Sequence, residues 1–249
     1  MSPYSYDQRF MEYAAQSSPR SAQVITSLLY AMLIPKSVLD IGCALGTWLR
    51  CWSELGVAEV HGIDGSYVDQ SRLEIPHNAF TSVDLNESFD LGRQFDLVQS
   101  LEVGEHIRSS ESDKFVQSIV RHAGRFALFS AAPPGQCGEH HINEQKYEFW
   151  RERFAQHEFA VLDCMRPLIH HEKRISYWYR YNTFLYVRRD VLDSLDQSLR
   201  AWEVPNEIRL SDVSPVSFRI RKSILRGLPQ SIQNGIARLK ARIAPTGYF

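Results

Sequence analysis

Apolar residues recur at three- and four-residue steps from Val24 to Leu33, and Pro35 closes the run, which predicts a helix. The stretch 37–41 (Ser-Val-Leu-Asp-Ile) reads as a short buried strand, cut off by Gly42 and Gly46. Trp48, Leu49, Trp52 and Leu55 restore the helical period over 47–55, and Gly56 stands where a C-terminal cap belongs. Further strands are predicted at 59–63, 79–83, 95–100 and 125–129, with a helix around 115–120. Two more strands are expected at 159–163 and 182–187. Strands alternating with short helices predict an α/β fold with a mostly parallel, doubly wound sheet. Ligands of such sheets sit beyond the carboxyl ends of the strands. Asp40, Asp64, Asp84 and Glu102 all fall at or just past those ends, so the rim is expected to be polar.

Composition narrows the class. The 249 residues are 44 % hydrophobic and 23 % charged, enough for a real core, and the net charge is −1. The longest unbroken apolar run, Leu28 to Ile34, is far short of the roughly 20 residues a spanning helix needs. The start of the chain lacks the basic-then-apolar shape of a secretory signal. Cys43, Cys51, Cys137 and Cys164 show neither a CxxC pair nor a disulfide-framework spacing. A reduced, soluble, cytoplasmic protein is the expectation. The charge is uneven: residues 217–249 carry seven Lys or Arg and no acid, leaving the first 216 residues at −8. Apolar residues recur there at helical steps, interrupted by Gly227, Pro229 and Gly235. The expected organisation is a helical cap over 1–36, a body over 37–190 and a basic helical extension over 191–249.

The turn after the first strand carries the first chemical signal. A dinucleotide turn needs G-x-G-x-x-G, but Ala44 and Thr47 occupy two of the glycine positions, and Asp40 would repel a pyrophosphate. The same acid can accept hydrogen bonds from a cationic ammonium group, which S-adenosylmethionine (SAM) carries. Asp64 could accept from ribose hydroxyls, and Asp84 with Leu85 could border an adenine. The stretches 38–46, 62–65 and 95–102 together resemble the successive motifs of class I SAM-dependent methyltransferases. That resemblance covers about residues 20–188. It implies a Rossmann-like sheet of seven strands with the last antiparallel. It also implies that Asp40, Gly42 and Gly46 contact the methionine part, Asp64 the ribose, and Asp84 and Leu85 the adenine.

The stretch Leu101-Glu102-Val103-Gly104-Glu105-His106-Ile107 carries the second signal. On a helix, Glu102, Glu105 and His106 would share one face, and the His140-His141 loop after the fifth strand would reach the same rim. Three readings stay open: acids complementing a helix dipole, a general base at His106 or His141, and a metal site of Glu102, Glu105, His106 and His141. The E-x-x-E-H step with a later His looks like the metal-using small-RNA 2′-O-methyltransferases and the O-methyltransferases of ubiquinone biosynthesis. Two carboxylates suit Mg²⁺, while two imidazoles shift preference to Mn²⁺, Fe²⁺ or Zn²⁺.

The expected activity is therefore SAM-dependent methylation of a hydroxyl on a small molecule or glycan, with possible assistance from a divalent cation. The rivals are RNA terminal 2′-O-methylation, a SAM-binding non-catalytic subunit and a nicotinamide-dependent oxidoreductase. The acidic body disfavours nucleic acid. The basic segment 217–249 is expected either to pack on the domain or to touch an anionic membrane or a phosphate-bearing substrate carrier.

Overall fold

The computed structural model describes residues 18–229, 232, 233, 235 and 236. The first 17 residues of the expected cap, and most of the chain beyond 229, lie outside the described residues. Helix α1 (Pro19–Leu33) starts earlier than its apolar period suggests, because Pro19 fits the first helical turn. Strand β1 (Ser37–Ile41), helix α2 (Thr47–Glu54) and strand β2 (Glu59–Asp64) follow as the sequence predicts. Next come β3 (Phe80–Ser82), β4 (Phe95–Leu101), α3 (Ser112–His122) and β5 (Ala123–Ser130). The remainder is α4 (Tyr147–Ala155), β6 (Phe159–Leu162), α5 (Met165–Ile169), α6 (Tyr177–Asn182) and β7 (Phe184–Arg188). Short helices α7 (Arg189–Leu192) and α8 (Gln197–Arg200) lead to α9 (Val216–Arg226), which stops at Gly227.

The seven strands form one sheet in the order β3-β2-β1-β4-β5-β7-β6. Only β7 is antiparallel to its neighbours, so the expected seven-stranded, mostly parallel Rossmann-like sheet is the observed one. Both faces are covered, which is why the strands read as nearly unbroken apolar runs. On one face Val38, Leu97, Phe126 and Leu185 pack with Ile25 and Leu29 of α1 and Trp52 of α2. On the other, Leu39, Val98, Ala127 and Tyr186 pack with Phe115 and Ile119 of α3 and Phe154 of α4. The alternation of side chains along each strand sorts these residues to opposite faces.

Two parts depart from the pattern-based expectation. The segment expected to be a helix over 102–106 is a single 3-10 turn at Gly104–His106. Glu102 stands before it with φ +56°, which no α-helix tolerates. Helix α6 is not among the predicted elements and takes up the first residue of the strand expected at 182–187; in it Tyr179 packs edge-on against Trp48 with ring centres 5.1 Å apart. Residues after β7 fold back along β6: the N–H of Val204 donates to the carbonyl of Val161, and that of Asp163 to Trp202. Among the described residues no helix is long and apolar enough to cross a membrane.

Candidate active site

The carboxyl ends of β1, β2, β4 and β5 converge on one rim, and acids crowd it. Gly42 turns the chain out of β1 with φ +85°, and its N–H donates to the Ile63 carbonyl at 2.8 Å. A Cβ at Gly42 would lie 2.4 Å from a methyl of Val103, so no side chain fits between this turn and the one after β4. Ala44 takes φ +48°, a left-handed conformation that a side chain resists. Asp64 holds the turn together: its Oδ2 accepts from the Ala44 N–H, and its Oδ1 from the Gly65 N–H, each at 2.7 Å. The Tyr67 hydroxyl also donates to Oδ1. Burial raises the Asp64 pKa from its ordinary value, partly offset by these three donors.

Asp40 is less well supplied. It is buried and pairs in register with Gln99 of β4, whose amide favours the anion, while desolvation and the nearby Asp64 push the pKa up to about 7. Gln99 is in turn held by the Trp52 indole N–H, which donates to its Oε1 at 2.8 Å. Leu85 is buried behind β3, whereas Asp84 is exposed and accepts from the Asn86 N–H at 2.9 Å.

The second cluster of acids is built around Glu105. This carboxylate is fully buried, and neither oxygen has a partner in hydrogen-bond geometry, although the N–H groups of Glu105 and Ala132 lie near enough to favour its anion. Desolvation and the Glu102 charge drive its pKa well up. Two hydrogen bonds fix the loop after β5 onto the Glu105 turn, the N–H groups of Ile142 and Asn143 both donating to the Glu105 carbonyl at 2.9 and 3.0 Å. The latch places His141 with Nε2 3.9 Å from Glu105 Oε1. His141 Nδ1 lies 2.8 Å from Glu144 Oε1. His106 Nδ1 lies 3.2 Å from the His140 carbonyl, and its ring meets that of His141 edge-on at 5.0 Å. Burial and the His141 charge hold the His106 pKa well below its usual value, so its imidazole is neutral.

Glu105, His106 and His141 each offer a ligand atom, all within 4.8 Å of one another. Glu102 is not part of that group. This corrects the four-residue set expected from the sequence, and the missing helix explains it. From the end of β4 the Glu102 carboxylate instead accepts from Gln136 Nε2 at 2.7 Å and Asn182 Nδ2 at 3.5 Å. Burial raises its pKa, against these donors. Both imidazoles place Nδ1 against an outer acceptor, the arrangement that orients a histidine to ligate through Nε2. An open groove of about 980 Å³ leads to His141, lined among others by Glu144, Glu148, Arg151, Arg209 and Arg226.

A family model described as a methyltransferase domain matches residues 9–162, more than half of the chain. The chain belongs to the methyltransferase-domain family. Solved structures with the same fold include the SAM-bound amino pentose methyltransferase CalS10 of Micromonospora echinaspora, at TM-score 0.54 and 15 % identity over 74 % of this chain and 98 % of that one. The sugar N-methyltransferase KedS8 of Streptoalloteichus is similar at TM-score 0.56 and 16 % identity, over 72 % and 91 % of the two chains. An O-methyltransferase family protein of Burkholderia thailandensis is similar at TM-score 0.53 and 12 % identity, over 74 % and 60 %. The fold is thus that of the class I SAM-dependent methyltransferases.

Within this methyltransferase domain, the rim residues not singled out from sequence are Gln99, Gln136, Glu144 and Asn182. A glutamine inside the buried strand Phe-Asp-Leu-Val-Gln-Ser-Leu was the one readable signal. Gln136, Glu144 and Asn182 act through tertiary contacts that no spacing encodes.

Two expected outcomes follow from the turn. Replacing Ala44 by glycine should stabilise the protein by about 0.5–1 kcal/mol, the left-handed strain outweighing the extra freedom of the unfolded chain. Gly42→Ala should destabilise it, and urea denaturation of both variants checks the pair. The second concerns pH. Because folding raises the Asp40 pKa from 3.8 to about 7, its contribution is full below about pH 4 and lost as pH rises through 7. Relative to Asp40→Asn, the wild-type apoprotein should therefore lose up to about 4 kcal/mol between pH 4 and 8, measurable by denaturation across that range.

Proposed function

We propose that this protein is a SAM-dependent methyltransferase that transfers the methyl group to a hydroxyl of a small, polar acceptor such as a sugar. The observation that carries the reading is the fully buried Glu105 carboxylate, without an aligned hydrogen-bond partner and flanked by two imidazoles, of which His141 lines a polar groove.

On the cofactor side, the Asp40 carboxyl, short of donors, suits the ammonium group of SAM, whose charge would favour the anion. Asp64 suits the ribose hydroxyls. Its Oδ2 accepts one N–H and has room for another donor, while a second ribose hydroxyl would take the place of Tyr67 on Oδ1. Gly42 and Gly46 let the backbone approach the methionine part, and Leu85 with Asp84 borders the adenine. The sulfonium makes the methyl intrinsically transferable, so the protein's task is to position and deprotonate the nucleophile.

On the acceptor side, proteins of this fold include, by their descriptions, both N- and O-methyltransferases, so the choice of oxygen rests on the site. A neutral His106 and a His141 oriented by Glu144 can take the hydroxyl proton. The same donor set, one carboxylate and two imidazoles, fits a divalent cation, and the loss of Glu102 from it favours Mn²⁺, Fe²⁺ or Zn²⁺ over Mg²⁺. Bound there, a cation would supply Lewis-acid polarisation of an acceptor oxygen. Glu144 would keep the His141 ring in place in either case. The groove's mixture of carboxylates and guanidinium groups suits a hydroxyl-rich acceptor better than an apolar one.

Incubation with labelled SAM and a panel of nucleotide sugars and hydroxylated metabolites tests the reading. Methyl ether formation on a hydroxylated acceptor is expected; transfer only to amines would overturn the hydroxyl assignment. Two variants separate the halves of the site. Glu105→Gln should abolish turnover with SAM affinity nearly unchanged. Asp64→Asn should weaken SAM binding about tenfold or more, the cost of about 1.5–3 kcal/mol for a lost bond to a charged acceptor. Calorimetric titration with SAM reads both affinities, and tight binding of NAD instead would favour the oxidoreductase rival.

A further inference from the structure

Helix α9 has two faces of opposite character. Phe218, Arg221, Lys222 and Leu225 lie on one side, at the i, i+3, i+4 and i+7 positions of a helix. That side is anchored. Phe218 packs on Tyr177 and Tyr181, with ring centres 5.1 and 6.1 Å away. Lys222 pairs with Asp212, Arg221 donates to the Gln136 carbonyl at 3.4 Å, and Leu225 is buried. The Lys222 backbone passes so close to Gly135 that a Cβ there would lie 2.1 Å from its carbonyl oxygen.

The other side carries Val216, Ile220 and Ile224 at four-residue steps, and they are 60 %, 56 % and 64 % exposed. Ile232 and Ile236 beyond the helix are also exposed, as is Arg219 beside the stripe. A globular domain normally turns such a stripe inward. Here the inward position is taken, and the aliphatic stripe faces out. Charge identifies what would cover it. From Pro215 to the end of the sequence there are seven Lys or Arg and no acid. A symmetric contact with a second copy would set this basic segment against itself, whereas an anionic surface would be drawn to it.

We propose that the Val216–Ile220–Ile224 face of α9 docks on an anionic lipid surface, with the three aliphatic side chains at the headgroup boundary and Arg219 on the lipid phosphates. Interfacial helices combine these same features, an apolar stripe edged by basic residues. The groove that leads to His141 reaches the C-terminal end of this helix, where Arg226 lines it.

Sedimentation of the full-length protein with vesicles tests the proposal. Vesicles of phosphatidylcholine with phosphatidylserine should carry the protein down at about 0.1 M salt and release it at about 1 M, where screening is short-ranged. Pure phosphatidylcholine should not. The double variant Ile220→Ser, Ile224→Ser should bind about tenfold or more weakly, and Arg219→Gln about fivefold, both with SAM binding unchanged as the check on folding. Absence of binding to the anionic vesicles, equal binding to both vesicle types, or equal binding by the double variant would overturn the proposal. So would a wild-type dimer in sedimentation velocity that the double variant converts to monomer, since a second copy would then be the occupant.

Discussion

Burying carboxylates at one edge of the sheet is the constraint that organises this molecule. Parallel strands deliver Asp40, Asp64 and Glu102 to the same rim, and Glu105 follows a few residues on. Each loses hydration there and raises the cost of ionising the others. The protein answers unequally. Asp64 receives three donors and Glu102 receives two side-chain amides. Asp40 has one amide beside it, and Glu105 has no aligned partner. The two satisfied acids shape the chain around them, and the two undersupplied ones are where a cationic or metal-bound ligand would be stabilised most.

The same inequality divides the site into two halves that share one wall. Val103 sits against Gly42, so the turn that would receive the methionine part and the turn that carries Glu105 are in contact. The loop after β5 is fastened to the second turn through Ile142 and Asn143 and held from inside by Glu144, which accepts from the N–H groups of Gly135 and Cys137 as well as facing His141. Helix α9 then closes over that loop at Gly135 and Gln136. Gln136 donates to Glu102 and accepts from Asn182, so a continuous polar chain runs from the rim to the C-terminal helix.

Much of this was readable from sequence where a local rule sufficed. Strand β1 and the start of α2 lie where the apolar run and the two glycines put them, because a strand buried on both faces is apolar nearly throughout. Asp40 and Asp64 were legible as rim acids because strand ends locate ligands in doubly wound sheets. The Glu-Glu-His step misled for a physical reason. Its i, i+3, i+4 spacing has meaning only on a helix, and the left-handed backbone at Glu102 breaks that geometry. The convergence of His141 on Glu105 depends on hydrogen bonds between segments 37 residues apart in sequence, and the roles of Gln136 and Asn182 depend on contacts that span 34 to 80 residues. The amphipathic character of the C-terminal segment was legible, but which side would be anchored was not, since the anchoring partners Tyr177, Tyr181 and Asp212 lie in other elements.

The account stands on Asp40 being the acid that meets the cofactor's ammonium group. Calorimetric titration of the wild-type protein with SAM at about pH 6, repeated in buffers of different ionisation enthalpy, counts the protons exchanged on binding. Asp40 is mostly protonated there in the free protein, its pKa being about 7, and a cation beside it would favour the anion. The predicted result is the release of close to one proton per SAM bound, and its disappearance in Asp40→Asn. SAM binding with no proton released, or with the same release in Asp40→Asn, would contradict it.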